Sequence, residues 1–260
     1  MLTHALLGLF AAATIAFAAR AARSLTTSGA TAATVIGTLG VAAGWNWGAL
    51  LILYFVSSTV LSRLGRTKKE ERTSSVVAKG GRRDAIQVLA NGGVFAAAAI
   101  AMLIEPDVRW IALGAGSLAA AAADTWATEV GTLYGGTPRS ILTWQPVPPG
   151  TSGGISLIGT IAALAGATFI AIIVRTLGWT PRIANLVALG GIVGAMADSV
   201  IGATIQARRW CDACERETER ITHDCGAATR RLRGLAWLDN DVVNVLSNAA
   251  GGILAALLAA

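Results

Sequence analysis

Residues Trp237–Asn248 read WLDNDVVNVLSN, and the chain then runs into AAGGILAALLAA at positions 249–260. Two carboxylates and three amides open a helix whose remainder is built for lipid. Charge in a membrane-spanning helix is costly, and where it occurs it marks a pathway or a binding site. The fold therefore turns on whether the rest of the chain is also membrane-embedded and supplies partners for these groups.

Of 260 residues, 54% are hydrophobic and 14% are charged, which is too apolar for a soluble domain of this size. Apolar stretches predict eight spans, near residues 2–19, 30–44, 46–62, 84–104, 109–125, 154–174, 183–204 and 240–259. Several are short and rich in Ala and Gly, a composition that packs helix closely on helix. The first span lacks a basic leading segment and is followed by Arg20 and Arg23, so a cleaved signal peptide is not expected.

The 21 Lys and Arg exceed the 15 Asp and Glu, for a net charge of +6. Topology, rather than nucleic acid, accounts for the surplus. Eighteen cations follow the first, third, fifth and seventh spans, and only Arg109, Arg175 and Arg182 fall on the other side. This asymmetry predicts a cytoplasmic basic face and both termini outside. Most of the eight Trp stand at or near expected span edges, as an interfacial belt requires.

Outward from the opening stretch, DVVNVLSN (Asp241–Asn248) pairs with DAIQVLAN (Asp84–Asn91). Each carries polar groups at i, i+3 and i+7, which share one helical face. TSGA (Thr27–Ala30) and TSGG (Thr151–Gly154) precede the second and sixth spans, and SSTVLS and ADSVIG sit late in the third and seventh. In so Ala- and Gly-rich a chain each short match has a chance explanation, but their shared order favours duplication. The expected architecture is an all-α polytopic membrane protein of about eight transmembrane helices in two parallel four-helix repeats. Residues 1–125 form the first and 126–260 the second, which carries a cytoplasmic loop at 206–237.

AAAADTWATEVG adds Asp124 and Glu129, and GAMADSVIG adds Asp198, so that with Asp84, Asp239 and Asp241 six carboxylates lie near cytoplasmic helix ends. Oxygen donors without thiol or imidazole suit Mg²⁺, which binds one or two carboxylates together with substrate phosphates. Helix capping or pairing with a neighbouring Arg is the competing reading, strongest for Asp84 beside Arg82 and Arg83 and for Asp239 at a helix start. Asp124 and Asp198 follow long runs of small and apolar residues, where a purely structural acid is less expected. PPGTSGGIS, with Thr151, Ser152, Gly153 and Gly154 ahead of a helix, offers backbone N–H groups to an anion. The nearby cations equally serve as topology or headgroup contacts. CDACERETERITHDC supplies Cys211, Cys214, His223 and Cys225, the ligand types and number of a structural Zn²⁺ site.

Acids for a metal, cations and a glycine loop at one face point to phosphate transfer, which depends on positioning and charge neutralisation. The absence of a placed His favours an acceptor that arrives ionised, and the Ala/Gly-lined bundle suits a lipid tail. A transporter and a CTP-dependent lipid-phosphate cytidylyltransferase remain the alternatives. The clustering of polar groups toward one face counts against the transporter.

SGATAATVIGT, SRLG, RRDAIQVLANGG, ADTWATEVG, GTSGGISLIGT, ADSVIGA and WLDNDVVNVLSN occur in this order over nearly the whole chain. In these stretches the sequence resembles the integral-membrane family that contains chloroplast phytyl-phosphate kinase and human transmembrane protein 19. The resemblance implies a kinase transferring the γ-phosphate of a nucleoside triphosphate, CTP or ATP, to a prenyl monophosphate with Mg²⁺. It carries over to Asp84, Asn91, Arg63, Asp124, Glu129, Ser152, Gly153, Asp198, Asp241, Asn244 and Asn248. The expected roles are Asp124, Asp198 and Asp241 on Mg²⁺, with Glu129 and Asp239 in support. Thr151–Gly154 cradle the nucleotide phosphates, Gln87, Asn91, Asn244 and Asn248 orient both phosphates, and Arg63 or Arg83 neutralises developing charge. The expected partners are a prenyl phosphate lipid, a nucleoside triphosphate and the membrane, with no nucleic acid. A Gly/Ala-rich surface also permits a homodimer.

Overall fold

The structure, a computed structural model, describes residues 2–260. Nine α-helices are present among them: α1 (Leu2–Ala21), α2 (Thr27–Ala43), α3 (Trp45–Arg63), α4 (Arg66–Thr73), α5 (Ala85–Ile104), α6 (Val108–Tyr134), α7 (Leu157–Thr176), α8 (Pro181–Thr204) and α9 (Asn240–Ala259). Each expected span falls on a long helix. Six of the helices are long and apolar enough to cross a membrane: α1, α3, α5, α7, α8 and α9. The expectation of eight such spans is reduced at two places. α2 is a 17-residue helix, and α6, at 27 residues, includes Asp124 and Glu129. Large apolar side chains such as Phe10, Phe17, Ile104, Leu157 and Leu257 point outward, as lipid-facing residues do.

α6 is the hub, packing on α7, α8 and α9 and also on α3 and α5. Neighbours on every side explain its composition, since Ala112, Ala115 and Ala119–Ala123 are all buried. Only small side chains allow so many helices to approach one axis. α8 and α9 cross backbone on backbone, where a side chain at Gly190 would collide with the Gly251 carbonyl and one at Gly251 with that of Gly190.

The second half, α6–α9, is a compact bundle. The first half is more open: α1 lies on α2, and α2 lies on α3 and α5. The two parallel repeats expected from sequence are therefore not matched in helix packing, and α6 runs unbroken through residues 125 and 126, where the halves were expected to divide. The paired stretches also start at different helical positions. Asp84 caps α5, whereas Asp241 lies inside α9, which Asp239 caps. Likewise Thr27–Ala30 is the first turn of α2 while Thr151–Gly154 lies in the loop before α7. Side-chain reach decides this register: Thr26 and Ser156 each accept the N–H of a glycine three residues on, Gly29 and Gly159, both at 3.1 Å.

One face of the molecule gathers the long connections. Residues 205–239 fold there as a small unit around a three-stranded antiparallel sheet, β3 (Arg208–Cys211) between β4 (Arg216–Thr218) and β5 (Arg230–Arg233). A two-stranded ribbon, β1 (Arg139–Ser140) with β2 (Gly154–Ile155), closes the loop before α7. The small unit grips its neighbours. Glu219 N–H donates to Val76 O at 2.9 Å, Arg220 Nε to Val77 O at 2.9 Å, and Arg208 to the Ser152 carbonyl. The opposite face has only short turns, tied by Asn46 to Leu177 O at 2.9 Å and by Arg182 to Leu258 O at 2.9 Å.

Candidate functional site

Asp84 opens α5 with a reciprocal cap: its carboxylate accepts the Gln87 N–H at 2.9 Å, and Gln87 Oε1 accepts the Asp84 N–H at 3.1 Å. The capping reading of Asp84 therefore holds, and Gln87 is committed to the same box. Lys79, in the loop before α5, reaches Asp84 Oδ2 at 3.4 Å and also pairs with Asp241 on α9. The two Asp residues that the sequence match singled out thus converge on a single ammonium. Asn248 closes the same helix pair two turns deeper, donating to Ala90 O at 3.1 Å. Asn244 lies between Asp241 and Asn248 on that face. The Gln87 backbone N–H, and then Lys79, hold the Asp84 carboxyl below its usual range. Burial works against the Lys79 ammonium, but Asp241 and Asp84 together hold it above its ordinary value.

Deeper in, Asp124 of α6 and Asp198 of α8 are electrostatic neighbours. Ser247 of α9 donates to Asp198 Oδ2 at 3.2 Å. On the other flank, the Tyr54 hydroxyl of α3 lies beside Ser58 and Thr125, within the fields of Arg83 and Asp124. Arg83 donates to Ser62 Oγ at 3.2 Å. Tyr54, Ser58 and Ser62 form an i, i+4, i+8 stripe along α3. That stripe was the available signal in an otherwise apolar span, and residue-by-residue reading passed over it. Lys79 is one of several cations ahead of α5, and nothing local in the sequence marks it as the one that turns inward.

Other expected site residues are engaged elsewhere. Glu129 accepts Ser62 Oγ at 2.6 Å and pairs with Lys69, so both of its oxygens hold α3 and α4 to α6 rather than a metal. Asp239 caps α9 by accepting the Val242 N–H at 3.1 Å. Arg63 donates to Ser24 Oγ at 2.7 Å and to the Ala22 carbonyl, pinning the α1–α2 turn. The expected phosphate cradle at Thr151–Gly154 is occupied by protein. Thr151 N–H and Gly154 N–H close turns on Pro148 O and Thr151 O, and Ser152 Oγ donates to Glu219. Gly153 is a glycine because it packs against Ala203 at φ +78, with its nitrogen against Gly202. Burial pushes the Glu219 carboxyl up, opposed by that hydroxyl.

Among the described residues, no three carboxylates share one ligand sphere. The group that does qualify is Cys211, Cys214, His223 and Cys225, whose donor atoms all lie within 4.8 Å of one another. Cys211 and Cys225 Sγ are 3.7 Å apart, and His223 Nδ1 is 3.2 Å from Cys225 Sγ. Sulfurs bound at about 2.3 Å around a tetrahedral Zn²⁺ are separated by about this much. His223 Nε2 lies 3.1 Å from Asp224 Oδ1, so a carboxylate stands beside the imidazole nitrogen opposite Cys225 without a formed hydrogen bond. The Ala227 N–H and His223 lower the Cys225 thiol to about 6, so it offers a thiolate at neutral pH.

Membrane-spanning helices around a carboxylate pair, with cations and a thiol-rich unit on one face, define a polytopic membrane protein with a one-sided polar site. The chain belongs to the integral membrane protein family DUF92, whose pattern matches residues 10–252. It is 31% identical over 262 residues to Protein PGR of Arabidopsis thaliana, covering 90% of this chain and 88% of that one. With Protein VTE6, chloroplastic, of the same plant it shares 32% identity over 240 residues, 90% of this chain and 65% of the other. A membrane protein of Methanocaldococcus jannaschii is 29% identical over 216 residues, 83% of this chain and 77% of its own. No solved structure matches. The family resemblance carried by the motifs is borne out.

Proposed function

We propose that this protein is a kinase that transfers the γ-phosphate of a nucleoside triphosphate to an isoprenoid monophosphate at its basic, cytoplasmic face, with both termini outside. The observation that carries the reading is that the inward-lying Asp124 and Asp198 feel each other's charge, with Tyr54 within the fields of both Asp124 and Arg83. Two carboxylates within each other's field and away from water are costly without a cation nearby. Two carboxylates plus phosphates are what Mg²⁺ needs, so the residues fit that ion, and Asp124 and Asp198 would hold it. Bound there with nucleotide, Mg²⁺ supplies neutralisation of the triphosphate charge. The family resemblance, with 32% identity to Protein VTE6, chloroplastic, supports a prenyl phosphate as acceptor.

The acceptor's phosphate oxygen, already ionised, attacks the γ-phosphorus. The bond from that phosphorus to the bridging oxygen breaks, leaving a nucleoside diphosphate and a prenyl diphosphate. The reaction needs no general base. Arg83 offsets charge on the acceptor, and Lys79, held by Asp84 and Asp241, fixes the mouth of the site. The Cys211, Cys214, His223 and Cys225 group would hold a structural Zn²⁺, which would brace the loops that carry Lys79 and Ser152.

Purified protein incubated with geranylgeranyl phosphate, Mg²⁺ and labelled CTP or ATP should yield prenyl diphosphate and nucleoside diphosphate. Asp124→Asn should lower turnover by about 100-fold or more while elution and helicity stay unchanged. Pyrophosphate with a CDP-lipid would instead identify a cytidylyltransferase. Substrate-dependent uptake without nucleotide use would identify a carrier.

A further inference from the structure

The open first half encloses a cavity of about 120 Å³ between α1, α2, α3 and α5. Its walls are apolar and made of small residues, among them Ala12, Ala33, Gly37, Gly48, Val88 and Gly92. Arg83, Gln87 and Asn91 form its polar end, and Tyr54 lines it while facing Thr125 and Asp124 on its other side. Tyr54 is thus shared between the cavity wall and the surroundings of Asp124. Among the described residues Arg83 forms no ion pair, and its donor contact is the neutral Ser62 hydroxyl. From the first turn of α2, level with Arg83, to Val41 at the far end is about 21 Å at the helical rise per residue. The walls pinch at depth. A Cβ on Gly37 would lie 2.8 Å from Ala12 Cβ, and one on Gly48 would lie 2.7 Å from Val41 Cγ2. At these points α1 meets α2 and α2 meets α3 directly, so the cavity is closed off there rather than widened.

We propose that this cavity holds the tail of a single-chain lipid whose anionic head rests on Arg83, and that Ala33 and the far wall measure the length of the tail. The assignment takes its head group, a monophosphate, from the kinase reading. The tail site itself stands on the cavity's shape and lining. An unpaired guanidinium at the rim of an apolar tube matches one ligand chemistry, an anion on a hydrocarbon chain. Ala33 sits about 9 Å inside the mouth along α2. A bulky ring there leaves room for a short tail and excludes a long one.

The test is binding of geranyl, farnesyl and geranylgeranyl phosphate to the full-length protein without nucleotide, read by displacement of a fluorescent prenyl phosphate. Wild-type affinity should rise with tail length. Ala33→Phe should spare geranyl phosphate and weaken geranylgeranyl phosphate by about tenfold or more. Ile52→Ala, which adds room at the same cavity, should favour the longest tail, so a damaged fold in one variant does not shield the proposal. Arg83→Met should weaken the phosphates and leave geranylgeraniol unaffected. Equal binding of all three tails by wild type and Ala33→Phe, or an equal loss for all three, overturns the assignment. Length-dependent binding with no transfer from nucleotide overturns the kinase reading and leaves the tail site standing. Transfer whose length preference ignores Ala33→Phe does the reverse.

Discussion

Asp84 shows how one residue serves structure and site together. Its carboxylate caps α5 and shares Lys79 with Asp241. Asp84→Ala removes both contacts, and the lost cap alone costs about 1 kcal/mol. The folded-state carboxyl is held below the unfolded value, so its contribution is present above about pH 4 and lost as pH falls through the depressed value. Melting curves for wild type and Asp84→Ala should differ at neutral pH and converge in strong acid; a gap that persists there would contradict this account. Asp124 and Asp198 stand out in the sequence because an acid after a run of alanines or small residues has few cheap explanations. Glu129 was misread, since its partner Lys69 lies in a basic cluster that gave no sign of folding inward. Pairing between distant segments leaves no local periodicity, so the bond from Lys79 to Asp241 has no signature in the sequence.

At the scale of elements, α4 and the 205–239 unit were the least visible. α4 is polar throughout, yet Lys69 from it donates to the last carbonyls of α3, Leu61 O at 2.8 Å and Ser62 O at 3.0 Å. A cation completes that helix end as a capping residue would. The Cys and His spacing made a four-ligand set readable, but the sheet around it and its grip on Val76 and Ser152 were not. If zinc organises this unit, purified protein should contain one equivalent of the metal per chain. Chelation or Cys225→Ser should expose Arg216, Arg220 and Arg230 to trypsin while the helical signal of the membrane domain persists. Unchanged digestion after complete metal removal would deny the metal a folding role.

For the whole molecule, hydropathy was enough to place every long helix, and the 18-to-3 division of cations matches the division between the long-loop face and the short-turn face. What hydropathy missed was the continuation of α6 past residue 125, where its last turns carry Glu129, held by Ser62 and Lys69 of neighbouring helices. With His4 beside Trp45 and Arg182 bonded to Leu258 O, the two chain ends lie on the short-turn face. Reporter fusions at either end should therefore register the same compartment, opposite to a reporter placed between residues 212 and 230. Opposite readings at the two ends would rule out this arrangement. The Gly190–Gly251 crossing carries a mechanical corollary. Two backbones in direct contact have no rotamers to rearrange, so the α6–α9 side behaves as a fixed jaw. α1, resting mainly on α2, is the long helix with the fewest neighbours to hold it, so the lateral wall of the cavity is also its least anchored one.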